Sequence, residues 1–250
     1  MLRAEGLRHA FGGGRGAGGR VVALDDISFS LAAGQTLAIF GPNGAGKTTL
    51  LKVLAGLIHP QAGSARVDGG QRAIGWIGHE SHLYAHLTVR ENLQFWASLY
   101  GVPAARRGPQ IAAVLDQLGI ADRAAQPVWS LSRGLLQRAA IAKALVHDPQ
   151  VLLLDEPFTG LDLAAAAEFR TLLTQLQEGG RDGRVLVLAT HNVDEGAELA
   201  TDLAFQLRGR FVHFAPRGTQ SAAEIAAAYR DVVGRERGRG GPGGPGGPNG

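Results

Sequence analysis

The sequence predicts an α/β domain in which a parallel-sheet core is interrupted by a mostly helical insertion. Three observations carry that prediction. Val151 to Leu154 and Val185 to Ala189 are continuous apolar runs without polar alternation, as in strands covered on both faces. Helical patterns follow each run, giving the βα order that builds parallel sheets. The stretch from Val89 to about Ala144 reads as helix, broken at Gly101-Val102-Pro103 and at Gln126-Pro127.

The remaining elements fall in order around these. Gly12 to Gly19 is mostly glycine and reads as a flexible hairpin tip between two early strands. Thr36 to Phe40 is a buried strand that runs straight into a glycine loop, and Lys47 to Leu57 follows as a helix with one apolar face. Ala65 to Val67 and Ala73 to Ile77 read as short strands. A domain over residues 1–225, with a helical part at about 84–148, is set apart from a tail at 226–250. The tail is read as disordered because from Gly234 onward it is almost entirely Gly, Pro and Arg. No internal repeat is visible.

Composition narrows the class. A chain of 250 residues, 45% hydrophobic, can bury the core of one sizeable α/β domain or of two merged subdomains. With no cysteine there is neither a disulfide scaffold nor a thiolate metal site, which fits a reducing compartment. The start lacks the apolar stretch of a signal peptide. No apolar run approaches the ~18 residues of a membrane span, so membrane attachment is expected through a partner. The formal net charge is +3, and four arginines against two acids from Ala226 onward supply +2 of it. A nearly neutral body is not the footprint of a nucleic-acid binder.

Two motifs carry the chemistry. Gly41-Pro42-Asn43-Gly44-Ala45-Gly46-Lys47-Thr48 matches G-x-x-x-x-G-K-[ST], with Thr49 following. Its glycines let backbone N–H groups and a helix N-terminus converge on a polyphosphate. Lys47 is expected at the β- and γ-phosphates, and the Thr48 hydroxyl on Mg²⁺. Val151-Leu152-Leu153-Leu154-Asp155-Glu156 drives two acids to a strand's carboxyl end, where ligands of such sheets gather. Asp155 is expected to hold Mg²⁺ and Glu156 to orient or deprotonate an attacking water. ATP and Mg²⁺ are the cofactors this chemistry requires.

Five segments in order then resemble the nucleotide-binding domain of ABC transporters across roughly residues 2–215. They are the phosphate loop, Leu131-Ser132-Arg133-Gly134-Leu135-Leu136-Gln137-Arg138 as the signature segment, the acidic strand, Thr159-Gly160-Leu161-Asp162 as the D-loop, and Thr190-His191 as the switch. The resemblance implies a RecA-like P-loop core with an N-terminal antiparallel β subdomain and an inserted α-helical subdomain. It implies a head-to-tail dimer in which Ser132 and Gly134 of one copy approach the γ-phosphate held by the other. It places His191 at the γ-phosphate, Phe11 on the adenine and Asp162 at the nucleotide interface. It also implies a membrane permease as partner, docked near His82 to Leu93 where Tyr84, Phe95, Trp96 and Tyr100 cluster, and a peripheral position on the cytoplasmic face of the inner membrane.

The chain departs from the pattern twice. The signature normally reads Leu-Ser-Gly-Gly-Gln, and Arg133 and Leu135 stand at its third and fifth positions. Gly78-His79-Glu80 stands where relatives place a glutamine, so a metal-sensing role passes to His79 only with a change of chemistry, since imidazole cannot copy an amide carbonyl. Within the family, the signature variant and the stretch Ser81 to Val102 resemble the haem-exporter ATPases of cytochrome c maturation. Other small exporters of drugs, lipids or polysaccharides are the alternative. A soluble ABC ATPase acting on nucleic acid is disfavoured by the missing coiled-coil insertion, and a P-loop kinase by the presence of the signature.

Overall fold

The computed structural model describes residues 1–12, 19–78, 80–179 and 183–239. In chain order, β1 (Leu2–Phe11), β2 (Val21–Leu31), β3 (Thr36–Phe40), α1 (Lys47–Leu54), β4 (Ala62–Val67) and β5 (Ile74–Ile77) come first. The insertion is α2 (Val89–Leu99), α3 (Ala104–Gln117) and α4 (Arg133–Leu145). Then follow β6 (Val151–Asp155), α5 (Leu163–Glu178), β7 (Val185–Thr190), α6 (Val193–Gly196), β8 (Asp202–Leu207), β9 (Arg210–Pro216) and α7 (Ala222–Arg239). The expected hairpin tip falls largely on residues 13–18, outside the described residues.

β1 alternates buried and exposed side chains along most of its length and pairs antiparallel with both β2 and β4, in the order β2-β1-β4. This is the pattern of a sheet with one wet face. The second sheet has the order β5-β6-β7-β3-β8-β9, with its first five strands parallel and β9 antiparallel at the edge. Every residue of β3, β6 and β7 is buried, because helices or the first sheet cover both faces. The register pairs Phe40 with Thr190 and Asp155 with Ala189. The chain therefore leaves three adjacent strands at one sheet edge, with Gly41, Glu156 and His191 as the next residues.

Two cores sandwich this sheet. Leu50, Leu51, Val53 and Leu54 of α1 fill the space towards the antiparallel sheet against Leu7, Ile27 and Leu153. Burying each such side chain contributes about 1.5–3 kcal/mol. On the opposite face the insertion packs with α5 around Leu93, Ile111, Ile141, Leu154 and Leu173. α2 starts at a capping box formed by Thr88 and Glu91. Behind it the fully buried Asn92 donates to the Tyr84, Leu87 and Thr88 carbonyls and accepts from Tyr84 N.

The chain end corrects one expectation. Composition predicts a disordered tail that includes residues 226–239, yet α7 spans Ala222–Arg239. Ile225, Tyr229 and Val232 repeat at helical spacing and pack on Phe40, Phe205 and Val193, with Tyr229 edge-on to Phe205 at 5.3 Å. That stripe buries enough to order the helix despite Gly234 and Gly238. The rest of the expected tail, residues 240–250, lies outside the described residues.

Candidate active site

The glycine loop leaves β3 and caps α1 through Gly46, whose φ is 103°. A Cβ there would lie 2.0 Å from the Ala23 carbonyl oxygen, so both the left-handed backbone and the close approach demand glycine. Lys47 follows, only 6% exposed. Its Nζ donates to the carbonyls of Gly41 (2.7 Å) and Pro42 (3.3 Å) and lies 3.5 Å from Glu156 Oε1. Thr48 Oγ1 donates to Asp155 Oδ1 at 3.1 Å. Asp155 is 4% exposed, and burial pushes its carboxyl up from the ordinary range, as does the neighbouring Glu156 charge. The Thr48 hydrogen bond and the Lys47 and Lys52 charges pull it back. A divalent cation would relieve the same burden, and the donors here are all oxygens, as Mg²⁺ prefers. Thr48 and Asp155 therefore fit that ion.

Glu156 takes a left-handed backbone, φ 49°, which costs an L-residue about 1–2 kcal/mol. The surroundings over-determine it. Its N–H donates to the Ala189 carbonyl (2.8 Å), and its own carbonyl accepts from Thr159 N (3.1 Å). The turn aims the carboxylate between Lys47 and His191, whose Nδ1 donates to Glu156 Oε2 at 2.8 Å. Strain held in place this way is characteristic of functional positions.

A cleft of about 330 Å³ opens over the loop, lined by Phe11, Val21, Ala23, Asn43 to Thr49 and Glu156. Phe11 stands 46% exposed at its wall, edge-on to His9 at 4.7 Å. The structure thus brings together Phe11, Gly41 to Thr49, Asp155, Glu156 and His191. Ser132, Gly134 and Asp162 do not line this cleft. Ser132 caps α4, accepting from Leu135 N (3.4 Å), and Asp162 caps α5, accepting from Ala165 N (2.8 Å). A Cβ on Gly134 would meet nothing within 4 Å, so the start of α4 presents an open surface. His79 lies outside the described residues.

Several contributors escaped sequence reading. Val21 and Ala23 wall the cleft from β2, and no local pattern marks them. Gln206 on β8 is wholly buried, with neither amide atom hydrogen-bonded, and its Nε2 would be 2.9 Å from a Gly46 Cβ. A glutamine inside the apolar run Leu203 to Leu207 was its only signal. Thr190 Oγ1 donates to Glu195 Oε2 (3.0 Å) and accepts from Asn192 N (3.1 Å), which fixes the segment carrying His191.

The fold and these groups define the class: a P-loop nucleoside triphosphatase with one strand between its phosphate-loop strand and its acidic strand. Comparison with known proteins narrows it. A family model described as ABC transporter matches residues 24–159, more than half of the chain. The chain belongs to that family and is an ATP-binding, ATP-hydrolysing transporter subunit of the cassette fold. It is 33% identical over 220 residues to the taurine import ATP-binding protein TauB of Roseobacter denitrificans, covering 86% of this chain and 78% of that one. It is 38% identical over 224 residues to the cobalt import ATP-binding protein CbiO of Rhodobacter capsulatus, covering 84% and 76%. It is 39% identical over 181 residues to the cytochrome c biogenesis ATP-binding export protein CcmA of Rhizobium meliloti, covering 69% and 86%. Among solved structures, the dimeric cassette MJ0796 bound to ADP and Pi superposes with a TM-score of 0.76 at 23% identity, covering 88% of this chain and all of that one. This last likeness concerns the fold.

Proposed function

We propose that the chain powers export through a separate membrane subunit, on the cytoplasmic face of the inner membrane, and that haem export for cytochrome c biogenesis is its job. The observation that carries this reading is the 39% identity to CcmA, which spans 86% of that protein. A second reading, the ATPase of another small transporter, is favoured by the nearly equal identity to CbiO at 38%. No helix among the described residues is long and apolar enough to cross a membrane. The reading therefore needs a permease to carry the membrane-spanning part.

In the proposed cycle, ATP phosphates displace the Gly41 and Pro42 carbonyls from Lys47 Nζ. The same move releases Glu156 from Lys47, leaving its carboxylate to orient and deprotonate water while His191 holds it. Thr48 and Asp155 would hold Mg²⁺, which would supply charge neutralisation on the phosphates. A second copy, docked head to tail, brings Ser132 and Gly134 to the γ-phosphate. The open surface at the start of α4 supports this reading, because neither residue reaches the cleft of its own chain.

For the permease, a cavity of about 410 Å³ between the core and the insertion is the proposed seat. It is walled by Leu57, Trp76, Trp96, Leu99 and Tyr100, with Leu57 and Leu99 exposed. A helix end from a membrane protein would cover them. Deleting the gene in its host and staining membrane proteins for covalent haem tests the cargo. Loss of haem-bearing c-type cytochromes, restored by the wild-type chain but not by Glu156→Gln, is the expected result. Unchanged cytochromes would move the assignment to the second reading.

A further inference from the structure

The signature segment departs from its usual glycine at Arg133, and the structure shows where that side chain goes. From the first turn of α4, Arg133 Nη1 donates to the Gly160 carbonyl at 3.1 Å. The guanidinium sits so close to Gly160 that a Cβ built there would lie 2.5 Å from Cζ and Nη1, and 2.9 Å from Nη2. Gly160 also has φ +79°, a left-handed backbone that favours glycine, and a side chain there would push the guanidinium aside. One turn further along α4, Gln137 Nε2 donates to the Pro157 carbonyl at 3.0 Å. Arg138 Nη2 then reaches Glu168 on α5 at 2.8 Å. Three side chains of α4 thus contact the loop after β6 and the helix that follows it.

That loop is short and folded on itself. Thr159 N donates to the Glu156 carbonyl and Leu161 N to the Phe158 carbonyl, both at 3.1 Å. Moving Gly160 therefore moves the turn that sets Glu156 in its left-handed conformation. A planar guanidinium suits the task, since Nη1 donates to the carbonyl while Cζ and both terminal nitrogens fill the space beside Gly160.

We infer that Arg133 is a positioning residue for hydrolysis. It ties the loop 156–162 to the start of α4, so that Glu156 at one nucleotide and Ser132 and Gly134 facing a second one move as a unit. This rests on the roles proposed above for Glu156, Ser132 and Gly134. Arg133 is exposed, so its loss costs the fold little. The effect falls on turnover.

The test is steady-state MgATP hydrolysis by the full chain, with thermal melting of each variant. Arg133→Ala is expected to lower kcat about three- to ten-fold while KM for ATP and Tm stay at the wild-type values. Arg133→Lys, which keeps a donor of similar reach, recovers part of the loss. Gly160→Ala displaces the guanidinium and lowers kcat as well, and Arg133→Ala/Gly160→Ala falls no further than the lower single variant. If Gly160→Ala does not fold, the Ala and Lys variants of Arg133 decide the matter. A wild-type kcat in Arg133→Ala overturns the inference. So does a raised KM with additive effects, which would put Arg133 on the partner's nucleotide instead. Glu156→Gln is run alongside, and its failure to accumulate as an ATP-bound dimer would bring down the underlying site reading, and the inference with it.

Discussion

Lys143→Met should make this protein more stable at neutral pH and less stable at high pH. Lys143 lies in α4 at 3% exposure, with its Nζ donating to the Ser81 carbonyl at 2.8 Å and sitting 5.2 Å from the Trp96 ring centroid. No carboxylate pairs with it among the described residues. Burial lowers its pKa from 10.5 to about 8. Between those values the unfolded chain keeps the proton and the folded one gives it up, so stability rises with pH across that window. Below about 8 the folded state carries the whole cost of the buried ammonium. At about 1.4 kcal/mol per pH unit, the gap amounts to about 3 kcal/mol. Methionine has similar volume and no charge, and it forfeits the bond to Ser81 and the ring contact, about 1 kcal/mol together. The net gain at pH 7 is about 2 kcal/mol, or about 5 °C in Tm for a chain of this size. Above pH 10.5 the variant should be the weaker by about 1 kcal/mol. Urea unfolding of both proteins at several values from pH 7 to 10.5 reads the difference directly, because other titrations cancel between them. A variant that is weaker already at pH 7, or an advantage that does not change with pH, would refute the reasoning.

Three further outcomes follow from the site. Lys47→Ala removes the buried ammonium that holds two loop carbonyls and faces Glu156, and MgATP turnover should fall at least about 100-fold; unchanged hydrolysis would sink the assignment. Glu156→Gln should bind ATP, hydrolyse it very slowly and collect as an ATP-bound dimer by light scattering, whereas a species that stays monomeric with ATP would count against the sandwich. Gly46→Ala must push against the Ala23 carbonyl in a left-handed backbone, so a thermal melt should show a loss of several kcal/mol along with weakened ATP binding. A melt like the wild type would mean the loop relaxes more readily than its packing suggests.

How much of this was legible beforehand depends on whether the determinant is local. β3, the glycine loop and α1 are contiguous, so the strand-loop-helix pattern reveals them, and Val151 to Glu156 reads the same way. The strands of the antiparallel sheet show in the sequence as two early strands and the run Ala65 to Val67, but the pairing of β4 with β1 does not, because the side chains of β4 alternate weakly. The order β5-β6-β7-β3-β8-β9 has no signature in any single segment. α7 escapes the sequence for a specific reason: residues 234–239 are all Gly, Arg or Glu, while its stripe of Ile225, Tyr229 and Val232 has meaning only against Phe205. Arg133 stood out as an anomaly, but its acceptor is 27 residues away and is set by how α4 packs on the loop after β6. Val21 and Ala23 reach the cleft through the register of a hairpin, which no motif encodes.

The position of β3 in the sheet has a consequence for how the protein is made. Its two neighbours are β7 and β8, roughly 150 residues later in the chain, so it cannot be paired until most of the polypeptide has left the ribosome. The antiparallel sheet and the helical insertion draw on nearer partners and can gather first. The nucleotide cleft is therefore assembled late. Until β7 arrives, the apolar edge of β3 is open to wrong pairings, the hazard of slow non-local strands. Cellular ATP can stabilise only chains that have passed that point, which makes the ligand a selective brace for completed molecules.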